Sequence, residues 1–171
     1  MPESVDLVTF VENRCGWYEG QAAESRNKKV GYENIRRAKS FPFHPELEDE
    51  SQAAWHRLID DRLKKCQDDY INYYAIDILE GHNSGYQVVS YSEGDYFSEH
   101  TDEIPEEPRR ISGVYYINDN YSGGELFFTQ FNIKIKPKAM DYIIFPSIWA
   151  YTHIAEKVTQ GTKNAIVHFM A

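Results

Sequence analysis

Cysteine is nearly absent. The 171 residues contain only Cys15 and Cys66, far apart and with no C-x-x-C pair. That argues against a disulfide framework and for a reduced, cytoplasmic protein. No apolar run approaches the roughly 18 residues that a membrane helix needs, and "MPESVDLVTF" is acidic with no basic n-region. Neither a membrane partner nor a signal peptide is expected. Cations are in deficit, 18 Lys+Arg against 27 Asp+Glu, for a formal charge of −9. A grip on nucleic acid needs clustered cations, so no nucleic-acid partner is expected. Repeats, low-complexity stretches and a second domain are also lacking, and residues 1–171 read as a single domain.

What is present is aromatic. Phe, Trp and Tyr make up 15% of the chain, with 13 Tyr, which argues against disorder and suits rings lining a half-polar cavity. The chain changes character near residue 75. Before it, "SQAAWHRLIDDRLKKCQDDYINYY" places Trp55, Leu58, Ile59, Leu63, Cys66, Tyr70 and Tyr74 at helical spacing, with Asp49 or Ser51 as the cap. A shorter helix is predicted over 4–13. Between the two, the polar stretch through residues 24–45 reads as a long surface segment and a lid, so that 1–74 serve as helical support and lid. From residue 75 on, strands are predicted in "YAIDIL", "YQVVSY", "ISGVYYI", "GELFF", "NIKIK", "DYIIF", "THIAEKV" and "NAIVHFM", separated by breakers such as "NDNYSGG" and "TQGT". The fold class expected is mainly β with N-terminal helices (α+β), with a jelly-roll core over 75–171.

Within "YFSEHTDE", His100 and Asp102 lie two residues apart. In extended chain they point to one side and offer an imidazole and a carboxylate to one point. Alone the pair is weak evidence, because a solvated loop histidine beside an acid looks the same. His153, late in the β-rich half, supplies a third donor. Two imidazoles and a carboxylate occupy one face of an octahedral ion and leave three positions open, which suits non-haem Fe(II). A structural zinc site would close all four positions, usually with Cys. Lys163 begins the last strand, and Lys163, Ala165, Val167 and Phe169 share a face by parity. A lysine on an apolar inward face is costly unless it meets an anion. The alternative is a turn lysine pointing to water.

Four blocks, taken together, carry a resemblance. "YSEGDYFSEHTD" (91–102), "RRISGVYYINDNYSGGELFF" (109–128), "IKPKAMDYIIFPS" (135–147) and "HIAEKVTQGTK" (153–163) resemble, in order and spacing, the Fe(II)/2-oxoglutarate-dependent oxygenases, and among them the prolyl 4-hydroxylase group. The match covers about residues 85–171. "GWYEGQAA" (16–23) more loosely resembles the bacterial and phage branch, for which the cytoplasm would be that of the host cell. The resemblance implies a double-stranded β-helix core, Fe(II) held by His100, Asp102 and His153, and 2-oxoglutarate and O2 as cosubstrates, with ascorbate as an optional reductant. It implies Lys163 and Tyr116 at the far carboxylate of 2-oxoglutarate and Tyr91 near its metal end. A substrate-side arginine is either Arg109, by motif counting, or Arg110, by strand parity with Tyr116. Gly123 and Gly124 read as turn residues.

The implied activity is a dioxygenase that hydroxylates a prolyl residue in a peptide or protein and releases succinate and CO2. Halogenating relatives lack the carboxylate ligand, so Asp102 implies hydroxylation. Many relatives carry Trp six residues after the basic residue, where this chain has Phe169, so the pocket wall is altered. Hydroxylation of a free amino acid or other small molecule is the alternative within the enzyme class. A non-redox metal-binding jelly roll is the alternative outside it.

Overall fold

The computed structural model describes residues 7–9, 11, 18–19, 35–43, 50–77, 83–105 and 109–171. The remainder of the stretch expected as a lid, of the "GWYEGQAA" segment and of the helix predicted over 4–13 lies outside them, though 7–9 and 11 are helical. Among the described residues no helix is long and apolar enough to cross a membrane.

The β-rich half folds as antiparallel sheets, as its short alternating runs predict. One sheet has six strands, in the spatial order β1 (Tyr18–Glu19), β3 (Lys39–Phe43), β4 (Asn83–Tyr91), β13 (Lys163–Met170), β6 (Ile111–Tyr116) and β10 (Tyr142–Pro146). The second has five: β2 (Arg36–Arg37), β5 (Tyr96–His100), β11 (His153–Ala155), β8 (Leu126–Phe128) and β9 (Ile133–Ile135). A small ribbon pairs β12 (Val158–Gln160) with β7 (Ser122–Gly123). Two sheets facing each other across a cavity form the jelly roll.

Alternation within the strands of the large sheet separates two environments. One face buries Phe41, Phe43, Tyr86, Val88, Tyr115 and Ile166, packed against Ile59 and Leu63 of the long helix Glu50–Tyr74. The other face turns Val89, Tyr91, Tyr116 and Ala165 inward, toward the second sheet. Parity is thus the device that divides structural from functional side chains.

Four expectations are corrected. First, part of the presumed lid is core: residues 36–37 and 39–43 are strands, and β3 pairs with β4 from Lys39↔Ser90 to Phe43↔Tyr86. The stretch reads as polar because it is short and the one charge of β3, Lys39, sits at an exposed position of the alternation. Second, "YAIDIL" is not a strand at its start. Tyr74 ends the helix and Ala75 takes a positive φ of 49°. Ile76 N then donates to Ile71 O at 3.0 Å and Ala75 N to Asn72 O at 3.3 Å, a paired turn that closes the helix. Third, "THIAEKV" is divided between β11 and β12, which lie in different sheets. Fourth, Cys66 is exposed and Tyr74 is 60% exposed, while Gln67 is buried in the helical stripe. Gln67 is satisfied there by Tyr142 Oη at 3.1 Å and His168 Nε2 at 2.9 Å. Gly113 admits this cluster, since a Cβ there would collide with Tyr142 Oη and crowd the His168 ring. The helix begins at Glu50, so Ser51 falls inside its first turn, and Asp49 lies outside the described residues.

Phe41 is 2% exposed between the sheet and the helix. Phe41→Ala is expected to lower the free energy of unfolding by about 3–5 kcal/mol, read by urea denaturation. A loss below about 1 kcal/mol would return residues 39–43 to the surface.

Candidate active site

The register of one strand pair builds the centre. β11 runs antiparallel to β5 with His153 directly opposite His100, which sets the two rings 4.2 Å apart. Asp102 sits just beyond the end of β5. His100 Nε2 lies 3.5 Å from Asp102 Oδ1, and His153 Nε2 lies 3.8 Å from Asp102 Oδ2. One donor atom from each of the three residues falls within 4.8 Å of the others.

Backbone carbonyls set the tautomers. His100 Nδ1 lies 2.8 Å from Ser98 O and His153 Nδ1 lies 2.9 Å from Tyr151 O. A carbonyl only accepts, so each Nδ1 carries the proton and each Nε2 lone pair faces the cluster. Ser112 Oγ donates to Asp102 Oδ2 at 2.6 Å and lies 2.8 Å from Ser147 Oγ. The Ser147 carbonyl accepts from Thr101 Oγ1 at 2.9 Å and from Glu103 N at 3.0 Å, which braces the turn carrying Asp102.

The electrostatics match a cation site. Burial works to raise the Asp102 pKa, but His100, His153 and the Ser112 hydroxyl outweigh it and bring it down to about 2. Burial first, and then His100, push His153 down to about 4. At neutral pH the cluster therefore offers a neutral imidazole and a carboxylate already deprotonated for a metal. Two nitrogens and one oxygen, fixed by outer hydrogen bonds, fit a divalent iron with open positions.

The centre opens into a cavity of about 1140 Å³ between the sheets. Lys163, Ala165, Val167 and Phe169 all line it, as parity predicts, together with Tyr91, Val114, Tyr116, Leu126 and Ala155. Lys163 is 3% exposed. Its ammonium donates to Gly124 O at 2.9 Å and lies 4.8 Å from the Tyr91 ring and 5.7 Å from the Tyr116 ring. Among the described residues no carboxylate is within ion-pairing distance of it. Burial, and next the charge of Lys136, lower its pKa to about 7, against a raising influence of Glu125. Burial raises the pKa of Tyr91 and, further, that of Tyr116, so both phenols stay protonated hydrogen-bond donors. Gly124 does more than turn the chain: a Cβ on it would stand 3.2 Å from Lys163 Cδ.

The two candidate arginines part company. Arg109 lines the cavity, with its guanidinium 3.9 Å from the centre of the Phe169 ring and Nη1 donating to Asp102 O at 3.3 Å. Arg110 is exposed and donates to Asp77 O at 2.7 Å. Parity pointed to Arg110, but β6 begins only at Ile111. Three contributors went unread in the sequence. Ser112 shares the parity of Val114 and Tyr116, a signal that was available. Phe97, whose ring stacks on His100 at 3.5 Å and 14°, and Arg36, whose guanidinium lies 5.1 Å from the centre of the Phe97 ring, depend on sheet pairing that no local pattern reveals.

The sequence model of the 2OG-Fe(II) oxygenase superfamily matches residues 86–171. The chain belongs to that superfamily, whose members use Fe(II), 2-oxoglutarate and O2. Solved prolyl hydroxylases share the fold. One from Trichoplax adhaerens, in complex with a hypoxia-inducible-factor oxygen-degradation-domain peptide fragment, aligns with a TM-score of 0.75 at 20% identity, over 99% of this chain and 76% of that one. The viral collagen prolyl hydroxylase of Paramecium Bursaria Chlorella virus-1, solved with 2-oxoglutarate, aligns at 0.62 and 20%, over 80% and 79%. A Pseudomonas putida prolyl-4-hydroxylase aligns at 0.58 and 18%, over 98% and 97%. No curated relative matches the sequence.

The Ser112 hydroxyl orients Asp102 without belonging to the donor set. Ser112→Ala is expected to weaken Fe(II) binding by about 10–100-fold in an anaerobic competition titration against a chelator. An unchanged affinity would mean that Asp102 is held in place by the 101–103 turn alone.

Proposed function

We propose that this dioxygenase hydroxylates a prolyl residue of a peptide or protein. In this reading His100, Asp102 and His153 hold Fe(II), and Lys163 receives the far carboxylate of 2-oxoglutarate. The observation that carries it is the buried ammonium of Lys163 facing the same cavity as the three donors, with no described carboxylate to neutralise it. A metal site without redox cosubstrate chemistry has no use for such a cation, whereas a chelating dicarboxylate supplies its partner.

When bound, iron with 2-oxoglutarate and O2 supplies the oxidation that yields succinate, CO2 and a hydroxylated carbon. The chain's own residues do the rest. Lys163 and Tyr116 fix the far end of the cosubstrate, and Tyr91 supports the end near the metal. Val114, Val167, Leu126 and Ala155 keep that part of the cavity apolar and exclude water. Arg109 and Phe169 form a stacked wall toward the substrate in place of the tryptophan many relatives carry. The volume left beside a bound dicarboxylate suits a segment of extended chain. The peptide-bound Trichoplax adhaerens fold, matched over 99% of this chain, supports a peptide over a free amino acid.

Anaerobic addition of Fe(II) and then 2-oxoglutarate is expected to give a weak visible charge-transfer band, lost or weakened in Lys163→Ala and Asp102→Ala. Proline-containing peptides are then expected to gain one oxygen atom by mass spectrometry. Failure of every such peptide, with the band intact, would move the small-molecule alternative forward. No band in folded protein would move the non-redox metal-binding alternative forward.

The Lys163 pKa of about 7 adds a pH signature. The carboxylate needs the charged amine, which is fully present below pH 7. Above it, binding must take up a proton, so 2-oxoglutarate affinity falls by up to about tenfold per pH unit until the liganded, raised pKa is passed. A flat affinity from pH 6 to 9 would contradict the pairing.

A further inference from the structure

Iron and 2-oxoglutarate would satisfy Lys163 and leave one cation of the cavity wall, Arg36, with no counter-charge among the described residues. Arg36 comes from β2, held against β5 by the pairing Arg36↔Phe97 and by Ser98, whose N and Oγ donate to Ile35 O at 2.7 and 2.8 Å. Its neighbour Arg37 turns outward and pairs with Asp95 at 3.2 Å, with 68% of its side chain exposed. Arg36 turns inward, lines the cavity and is half-buried. Among the described residues its buried Nε has no hydrogen-bond partner and no carboxylate reaches its guanidinium, which hydrogen-bonds only the neutral phenol of Tyr91. The guanidinium lies 5.1 Å from the centre of the Phe97 ring, and that ring stacks on the ligand histidine His100.

A partly desolvated guanidinium with an orphaned donor is costly unless an anion completes it. The other carboxylates of the lining, apart from Asp102, do not fill this role: Glu99 and Glu103 are exposed at the rim, where water screens them. A prolyl ring carries no charge, so the missing anion must come from elsewhere on the substrate. Resting on the prolyl-peptide reading, we propose that Arg36 is a specificity-determining residue that binds a carboxylate side chain flanking the target proline, which makes the substrate an acidic segment. The protein's charge of −9 does not oppose this at short range, since Arg36 and Arg109 both line the cavity while its Glu99 and Glu103 are exposed to solvent.

The test compares capped peptides bearing Asp or Glu at each position from two before to two after a central proline with their Asn and Gln counterparts. In wild type the best acidic peptide is expected to exceed its amide counterpart about tenfold or more in kcat/KM, expressed in KM, as befits a charge-assisted hydrogen bond. Arg36→Gln is expected to reduce that preference to within about twofold, and Arg36→Lys to restore part of it. Equal use of acidic and amide peptides by wild type overturns the proposal and leaves prolyl hydroxylation standing. A preference that survives in Arg36→Gln removes Arg36 from the role. A weakened 2-oxoglutarate titration in Arg36→Gln, with the acidic preference kept, assigns the residue to the cosubstrate instead. If no peptide is oxidised while the charge-transfer band forms, the prolyl reading fails and this proposal with it.

Discussion

The pairing of β5 with β11 is the constraint on which the site depends. Placing His153 opposite His100 brings two imidazoles together from positions 53 residues apart in the chain. A slip of one residue would send one ring to the opposite face of the small sheet and dissolve the cluster. The pairing is protected on both sides: β5 is held by β2 and β11 by β8, so neither histidine strand is a free edge. Carbonyls of the same strands and their flanks, Ser98 and Tyr151, then orient the rings. Metal-ligand geometry is in this sense a by-product of backbone hydrogen bonding.

The large sheet solves a different problem with the same alternation. Its outer face closes on the long helix and carries a buried polar cluster of Gln67, Tyr142 and His168 that the helix completes. Burial lowers the His168 pKa to about 4, so the cluster is neutral under ordinary conditions and fits an apolar layer. Its inner face collects the cation Lys163 and the phenols of Tyr91 and Tyr116. β13, an eight-residue strand between β4 and β6, serves both faces, His168 outward and Lys163 inward.

Charge is distributed by solvation. Among the described residues most carboxylates are exposed, while the cavity keeps a buried lysine and two half-buried arginines in the lining that also holds the metal donors. Desolvation there makes each charge count for more than it would outside. The wall position filled by Phe169 receives the Arg109 guanidinium, so an aromatic–cation stack forms part of the substrate-facing surface.

The sequence by itself determined the antiparallel β core, the helix before it, the H-x-D pair with its distant histidine, and the inward parity of Lys163 through Phe169. Each is a local periodicity or a motif whose spacing survives without knowledge of partners. Tertiary structure decided what local pattern cannot encode. Residues 39–43 became core because β4 offers them a sheet edge, although their stretch reads as polar. Gln67, and not Cys66, entered the helical stripe because Tyr142 and His168 satisfy its amide. Arg109 rather than Arg110 faces the cavity because the regular strand begins only after both. Arg36 gained a place in the site through one short pairing with β5. In every such case the deciding contact lies far along the chain, where hydrogen-bond partners and burial are set by packing and not by neighbouring residues.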